Sequence, residues 1–340
     1  MNGVPSRRPT LADVARLAGM STAAVSMILN DRPGSRLSAD AVERVRAAAE
    51  ELGYRPNPAA QSLRLGRTRT IGFVSDQVTL TRYASAMIGG VLEAARAHGR
   101  TVLMAETGRG GEMAEAVEEM TDRRVDGLLI GLMAARLIDV PQTPPQLPVV
   151  LVNGVSPEGH ACVLPDERRA GAAVVEHLVE HGHRRIGIVG DLPAAMTVAR
   201  ASATIDQRFA GIADALERTS ITPVRVAVPG WSPQVGYEYG GRLLDAHPEL
   251  TAVIAGTDGV ALGIFQAAAE RGLRIPDDLS VVSFDDEELA TYLRPGLTTA
   301  RLPYEEMGRL GVEMLLGAQP AERTLLPMPL VVRGSACSID

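Results

Sequence analysis

Several polar residues stand at the ends of short apolar runs that read as strands. Ser75 and Asp76 close TIGFVSD, Asn153 follows VVLV, Asp258 follows AVIAGT, and Asp285 and Asp286 close SVVSFDD. Arg208 lies on the helix-like segment after RIGIVG. In open parallel α/β sheets, ligands collect beyond the C-terminal ends of the strands. Carboxylates, an amide and one arginine converging on a cleft suit a polyol, because each hydroxyl can donate and accept. Trp231, the only tryptophan, follows VRVAVP in PGWS, and an aromatic face suits the C–H face of a sugar. The candidate ligand set is therefore Asp76, Asn153, Arg208, Trp231, Asp258 and Asp285. Each has a plainer reading. Asp258 could cap the helix VALGIFQAA, Arg208 could pair with Asp206 at the surface, and Trp231 could be a half-buried packing residue. Asp286 reads as structural.

Other chemistries find no support. The chain has no GxSxG elbow, no HExxH and no Walker loop. His177 and His181 share an i, i+4 helical face, with His183 beside them, but no matching carboxylate completes a metal set. They read as an exposed helix end. Cys162 and Cys337 lie far apart without metal-ligand spacing and read as reduced thiols. The expectation is a protein that is not an enzyme, with no cofactor and no metal.

The elements that must position these residues fall into a small head and a large body. The chain has 340 residues and a net charge of −7. Residues 1–69 hold 11 arginines against 6 acidic residues, while the remainder holds 23 against 35. A basic head on an acidic body suggests that the head touches a polyanion and the body does not. Every basic side chain is arginine. No apolar run approaches the ~20 residues of a membrane helix, and MNGVPSRRPT is not a secretory signal. A cytoplasmic, nucleoid-associated location with no membrane partner is expected.

Thr10 can N-cap a helix with Asp13 at N3, and Leu11, Val14, Ala15 and Ala18 give it one inward face. Gly19 can end it in a left-handed conformation. Ser21 then caps a second helix with Val25, Ile28 and Leu29 inward, which together fit a helix-turn-helix. A third helix begins at Ser38, buries Val42, Val45, Ala49 and Leu52, and ends at Gly53 before Pro56 and Pro58. The Arg-rich AAQSLRLGRTRT reads as a linker. From Ile71, short apolar runs alternate with amphipathic segments, the expected strands being 70–75, 101–106, 127–130, 149–152, 185–190, 224–229, 252–256 and 279–284. Strand–helix alternation implies mainly parallel sheets with helices on both faces, and the number of strands suggests two of them.

TLADVARLAGMSTAAVSMILN, followed by LSADAVERVRAAAEELGYRPNPAAQSL, resembles the head of the lactose-repressor/galactose-repressor family of bacterial regulators. The body adds VEHLVEHGHRRIGIVG, RFAG, ALGIFQAA, SVVSFDD, LTTARLP and VVRGS in the family's order, so the likeness covers essentially the whole chain. It implies a multi-domain protein: an all-α helix-turn-helix headpiece (1–58), a hinge (59–69), and an α/β body like a periplasmic sugar-binding protein (70–340). The body's two Rossmann-like lobes are placed at about 70–168 with 298–327, and at about 169–297 with 328–340. The second helix should enter the major groove, with Ser21, Thr22, Ala23, Ser26 and Met27 facing DNA. Met27 stands where the family usually has Arg, and Ala24 where Thr is usual, which implies weaker or altered direct readout. Asn30 joins this set at the helix end. Arg32, Arg36, Tyr54 and Asn57 are candidate backbone contacts. Leu63 falls at the position of the family's hinge leucine, which wedges into a central base step. The match of RFAG marks Arg208 as the ligand arginine, and the family often uses the first aspartate of the pair at Asp285. Thr257 stands where several relatives have Asn.

The expected function is a sequence-specific transcriptional regulator, a repressor. It would bind a near-palindromic double-stranded operator DNA as a homodimer, controlled by a small-molecule effector (a sugar or related polyol) between the lobes. The absence of a C-terminal leucine heptad favours a dimer over a tail-linked tetramer. A transporter's solute-binding protein would fit the body but not the attached head, and a protein co-regulator could replace the small effector.

Overall fold

A computed structural model describes residues 9–29, 38–55, 66–80, 84–107 and 113–339. By its contacts the chain divides into two units, Met1–Thr68 and Arg69–Asp340.

The first unit holds α1 (Leu11–Ala18), α2 (Thr22–Leu29) and α3 (Ala39–Glu51). Thr10 and Asp13 form a reciprocal capping box: the Thr10 hydroxyl accepts from the Asp13 N–H at 3.4 Å, and the Asp13 carboxylate accepts from the Thr10 N–H at 2.9 Å. The Thr10 hydroxyl also donates to the Asp13 carboxylate at 2.6 Å, and that bond together with the one from the Thr10 N–H lowers the Asp13 carboxyl to about 2. Gly19 closes α1 at φ 65°, a conformation open to glycine without a Cβ penalty. The chain bends by 103° into α2, within the range of a helix-turn-helix. Val14, Val25 and Val45 are fully buried where the three helices meet, among Ala15, Ala18, Ile28, Ala48 and Ala49.

The second unit carries two six-stranded sheets. The first comprises β1 (Thr70–Asp76), β2 (Thr101–Glu106), β3 (Gly127–Leu137), β4 (Val149–Val155), β5 (Ala161–Pro165) and β11 (Arg323–Leu326), ordered β11-β5-β4-β3-β1-β2. The second comprises β6 (Ile186–Asp191), β7 (Val224–Ala227), β8 (Ala252–Ala255), β9 (Ser280–Asp285), β10 (Thr298–Arg301) and β12 (Leu330–Val331), ordered β12-β10-β9-β8-β6-β7. Every paired neighbour is parallel except β10 with β12.

Both faces of each sheet are covered, which explains why the strands read as unbroken apolar runs. Leu129 of β3 packs under α4 (Ala86–Ala97) and α12 (Tyr304–Leu315), while Leu128 and Ile130 turn to the face of α5 (Met113–Asp122). The second sheet alternates in the same way. Ile186, Ile188, Ile254 and Phe284 face α6 (Glu167–Glu180) and α8 (Ile205–Arg218). Val189, Val253 and Val281 face α9 (Pro233–Ala246) and α10 (Asp258–Glu270), and the short helices α7 (Pro193–Thr197) and α11 (Glu288–Tyr292) follow β6 and β9.

The structure corrects the sequence reading at several points. β5, β10, β11 and β12 were not anticipated as strands, and β3 runs on to Leu137. Thr298–Arg301 belongs to the second sheet, so the return to the first lobe follows Arg301 rather than beginning at 298. LTTAR lacks an apolar run because its threonines are buried and satisfied. The Thr299 hydroxyl donates to Asp258 at 2.7 Å, and that of Thr298 accepts from the Arg333 N–H at 2.9 Å. Nor is the histidine group an exposed helix end. His177 and His183 are buried, and the His183 ring meets the Thr251 hydroxyl and the Cys337 carbonyl, each at 3.0 Å. Burial lowers the pKa of both rings.

Candidate functional site

Two features could do chemistry, one in each unit. In the first, α2 presents Thr22 and Ala23 to solvent behind an exposed Ser21, while Ser26 and Met27 are half-buried. The Ser21 hydroxyl accepts from the Ala24 N–H at 3.2 Å, so it caps the helix and keeps its own proton to donate. Val25 and Ile28 take the opposite side into the core. The chemistry α2 exposes is two hydroxyls and two apolar groups, with no positive charge.

In the second unit, a cavity of about 350 Å³ opens between the lobes at the C-terminal ends of the strands. Its centre is Arg208 on α8, which is buried. Two glycines bring its partner within reach. A Cβ on Gly211 of α8 would sit 1.9 Å from the Arg168 carbonyl of α6, and one on Gly171 of α6 would sit 2.2 Å from the Arg208 carbonyl. Without them the helices could not cross this closely. The close crossing sets Glu167, at the first turn of α6, against the guanidinium with bonds of 2.7 and 2.9 Å. The Gly256 carbonyl accepts a further bond at 2.6 Å, and Asp285 lies at 3.4 Å. The guanidinium carbon stands 4.4 Å from the Phe284 ring centroid and 5.8 Å from that of Trp231. Burial works against the charge, but the two carboxylates outweigh it and raise the Arg208 pKa further.

The wall contributed by the first lobe is mostly apolar: Met133, Ala134, Ala135 and Tyr304. Asn153 breaks it. At φ 61° it donates through its amide nitrogen to the Leu132 and Met133 carbonyls, at 3.0 and 3.1 Å. Its carbonyl oxygen is buried with no hydrogen-bond partner among the described residues. At the rim, among the described residues, the lobes are joined by Leu137 N–H to the Ala199 carbonyl at 2.9 Å, by Ala203 N–H to the Ala135 carbonyl at 2.8 Å, and by a two-pronged pairing of Arg200 with Asp139 at 2.8 and 2.9 Å.

Carboxyl groups crowd the second-lobe side. Burial pushes Asp285 up to about 6, with Arg208 holding it down and Glu167 adding to the rise. Burial and the Asp285 charge push Glu287 up to about 7. Behind them Asp258 rises to about 8, from burial and the Asp285 charge, despite accepting from Ser283, Thr299 and the Glu287 N–H.

The comparisons with known proteins accord with this arrangement. Residues 10–57 match the bacterial regulatory proteins of the lacI family, and residues 175–336 match a periplasmic binding protein-like domain. The ribose operon repressor of Escherichia coli (strain K12) is 32% identical, over 96% of this chain and 99% of that protein. The chain belongs to the LacI family of bacterial transcription regulators. An uncharacterized HTH-type transcriptional regulator in the aml 5′ region of Streptomyces limosus is 38% identical, over 96% of this chain and 94% of that protein. The crystal structure of the lac repressor dimer bound to operator and the anti-inducer ONPF superposes with a TM-score of 0.78 at 27% identity, covering 98% of this chain and all of that one. As a LacI-family protein the chain is a DNA-binding transcriptional repressor and not an enzyme.

Within this LacI-family body, four of the six ligand candidates, Asn153, Arg208, Trp231 and Asp285, line one cavity. The alternative pairing of Arg208 with Asp206 does not occur, since Glu167 and Asp285 hold the guanidinium. Trp231 donates its indole N–H to the Gly190 carbonyl at 2.8 Å and is half-buried. Asp258 and Asp76 are not among the lining residues. Asp258 begins α10, next to its N-cap Thr257, and ties that helix to the loop after β9. Asp76 is held by an ion pair with Arg136. Asp286 pairs with Arg301 and Arg333. Glu167 and Glu287 line the cavity and were missed. Glu167 follows β5, so reading ACVLP as a strand would have marked it as a strand-end carboxylate. In the head, Tyr54 packs half-buried against the three-helix core. Asn30, Arg32, Arg36, Asn57 and Leu63 lie outside the described residues.

Proposed function

We propose that the chain binds a near-palindromic operator as a homodimer through α2, under control of a small polyol, most simply a sugar, held in the interlobe cavity. The observation that carries the effector reading is the cavity itself. A fixed guanidinium, three carboxyl groups and the unpartnered Asn153 carbonyl line a space of about 350 Å³ beside the Trp231 ring. Hydroxyls fit such a lining because each can donate to the carboxyl groups and accept from the remaining guanidinium hydrogen. The names of two relatives agree in kind, one being a ribose operon repressor and the other a lac repressor dimer with operator and anti-inducer.

On this reading, Ser21, Thr22, Ala23, Ser26 and Met27 meet the major groove. Thr22 and Ser26 bond bases or phosphate, and Ala23 and Met27 contact thymine methyls. Asn30, Arg32, Tyr54 and Asn57 would support them, and Leu63 would wedge the central step. Arg208, Asp285, Asn153 and Trp231 hold the effector. Occupancy biases closure of the lobes and with it the rim bonds at Ala135, Leu137 and Asp139. A coupling of ~1–3 kcal/mol changes operator occupancy from several-fold to ~100-fold. The experiment is enrichment of the full chain against random duplexes, followed by fluorescence anisotropy on the winner at several salt concentrations. An enriched palindrome bound by two chains, with a steep salt dependence, supports the reading. Sequence-blind binding with and without sugars overturns it.

A further inference from the structure

The charge balance of the cavity goes further than its fit to hydroxyls. The fixed cation, Arg208, is already engaged by Glu167 through two bonds and by the Gly256 carbonyl, with Asp285 at 3.4 Å. The Glu287 side chain has no ion-pair or hydrogen-bond partner among the described residues. Its backbone N–H is tied to Asp258, which fixes where the residue stands on the cavity wall. The lining therefore holds Glu167, Asp285 and Glu287 against one arginine, and the buried Asn153 carbonyl adds an acceptor without a donor. Ser202 and Thr204 bring hydroxyls, and no second cationic side chain lines the cavity among the described residues.

We infer that this cavity takes an effector without an anionic group, a free polyol rather than its phosphate ester, and that Glu287 is the residue that sets this choice. The inference rests on the reading that the cavity holds the effector. A phosphate ester brings up to two negative charges into a space where the Arg208 guanidinium is committed to carboxylates. It would displace no weakly held anion and would find no donor at Asn153. A hydroxyl meets the same lining with hydrogens to give.

The test uses the full chain at pH 8 and the fluorescence of Trp231, the only tryptophan. Matched pairs are titrated: D-ribose with ribose 5-phosphate, D-glucose with glucose 6-phosphate, and adenosine with adenosine 5′-monophosphate. The free member of a binding pair should bind at least about 100-fold more tightly than its ester, the scale of one added like charge at close range. Lowering the pH to 5.5 should shrink that ratio more in wild type than in Glu287→Gln, because Glu287 takes up a proton at about 7, whereas the ester's own protonation near pH ~6 is common to both proteins. Glu287→Gln should narrow the ratio about tenfold. An ester binding as tightly as its parent sugar overturns the inference and leaves the sugar reading standing. Adenosine binding over its monophosphate, with no sugar binding, keeps the inference and removes the sugar reading. A ratio unmoved by Glu287→Gln overturns the role given to that residue.

Discussion

Replacing Glu167 with alanine should destabilise the body by ~3 kcal/mol. The side chains of Glu167 and Arg208 are both almost completely buried and share bonds of 2.7 and 2.9 Å. Removing one partner of a buried pair costs ~3–5 kcal/mol, mostly because the other charge is left uncompensated. Asp285 and the Gly256 carbonyl keep part of the compensation here, which places the expected loss at the low end. For a domain of this size each kcal/mol moves the midpoint by ~2–4 °C, so the Tm should fall by ~6–12 °C. Thermal unfolding followed through Trp231, whose ring is 5.8 Å from the guanidinium, reads the site directly. A companion double variant, Glu167→Leu with Arg208→Met, removes both charges and should recover most of the loss. A Glu167→Ala protein within ~1 kcal/mol of wild type would refute the claim that this pair anchors the cavity.

Three further outcomes follow from the same structure. Asp258, Glu287 and Asp285 titrate at about 8, 7 and 6, above the usual carboxylate range. The folded state thus binds more protons than the unfolded chain between pH ~4 and ~8, so these groups make the effector-free body less stable as pH rises through that window. Urea midpoints at pH 5.5 and 8.5 check the sign, and Asp258→Asn should flatten the upper part of the slope. Gly211→Ala should fail to fold or lose more than ~3 kcal/mol, since its Cβ would meet the Arg168 carbonyl at 1.9 Å; recovery of soluble protein and its urea midpoint measure this. Thr10→Ala removes half of the capping box on α1 and should cost the head ~1 kcal/mol, read as a lower helix signal on heating an isolated 1–69 fragment beside the wild-type fragment.

The head was largely legible in the sequence because its signals are local. Thr10 with Asp13, Gly19 and the inward Val14, Ala15 and Ala18 each act within a few residues. The doubly covered strands were legible for a similar reason, since burial on both faces leaves an uninterrupted apolar run. β10 escaped because its buried positions are threonines whose hydroxyls are satisfied by Asp258 and Arg333, a fact about distant partners. The cavity was half legible. Strand ends pointed to Asn153 and Asp285, but nothing local to Asp258 says that Ser283, Thr299 and the Glu287 N–H consume its carboxylate. The pairing of Glu167 with Arg208 was invisible for a like reason, because it depends on how closely α6 and α8 cross. That distance is set by Gly211 and Gly171, and while Gly211 closes the RFAG motif, nothing in the sequence marks Gly171 as its counterpart.

The most direct test of the account measures operator affinity with and without the sugar that binds best, for wild type and for Arg208→Met. The account predicts that the sugar changes the wild-type Kd at least ~5-fold, while Arg208→Met binds the same operator with an affinity that no sugar alters. An equal response in both proteins, or a Kd that no ligand of the cavity moves, would contradict it.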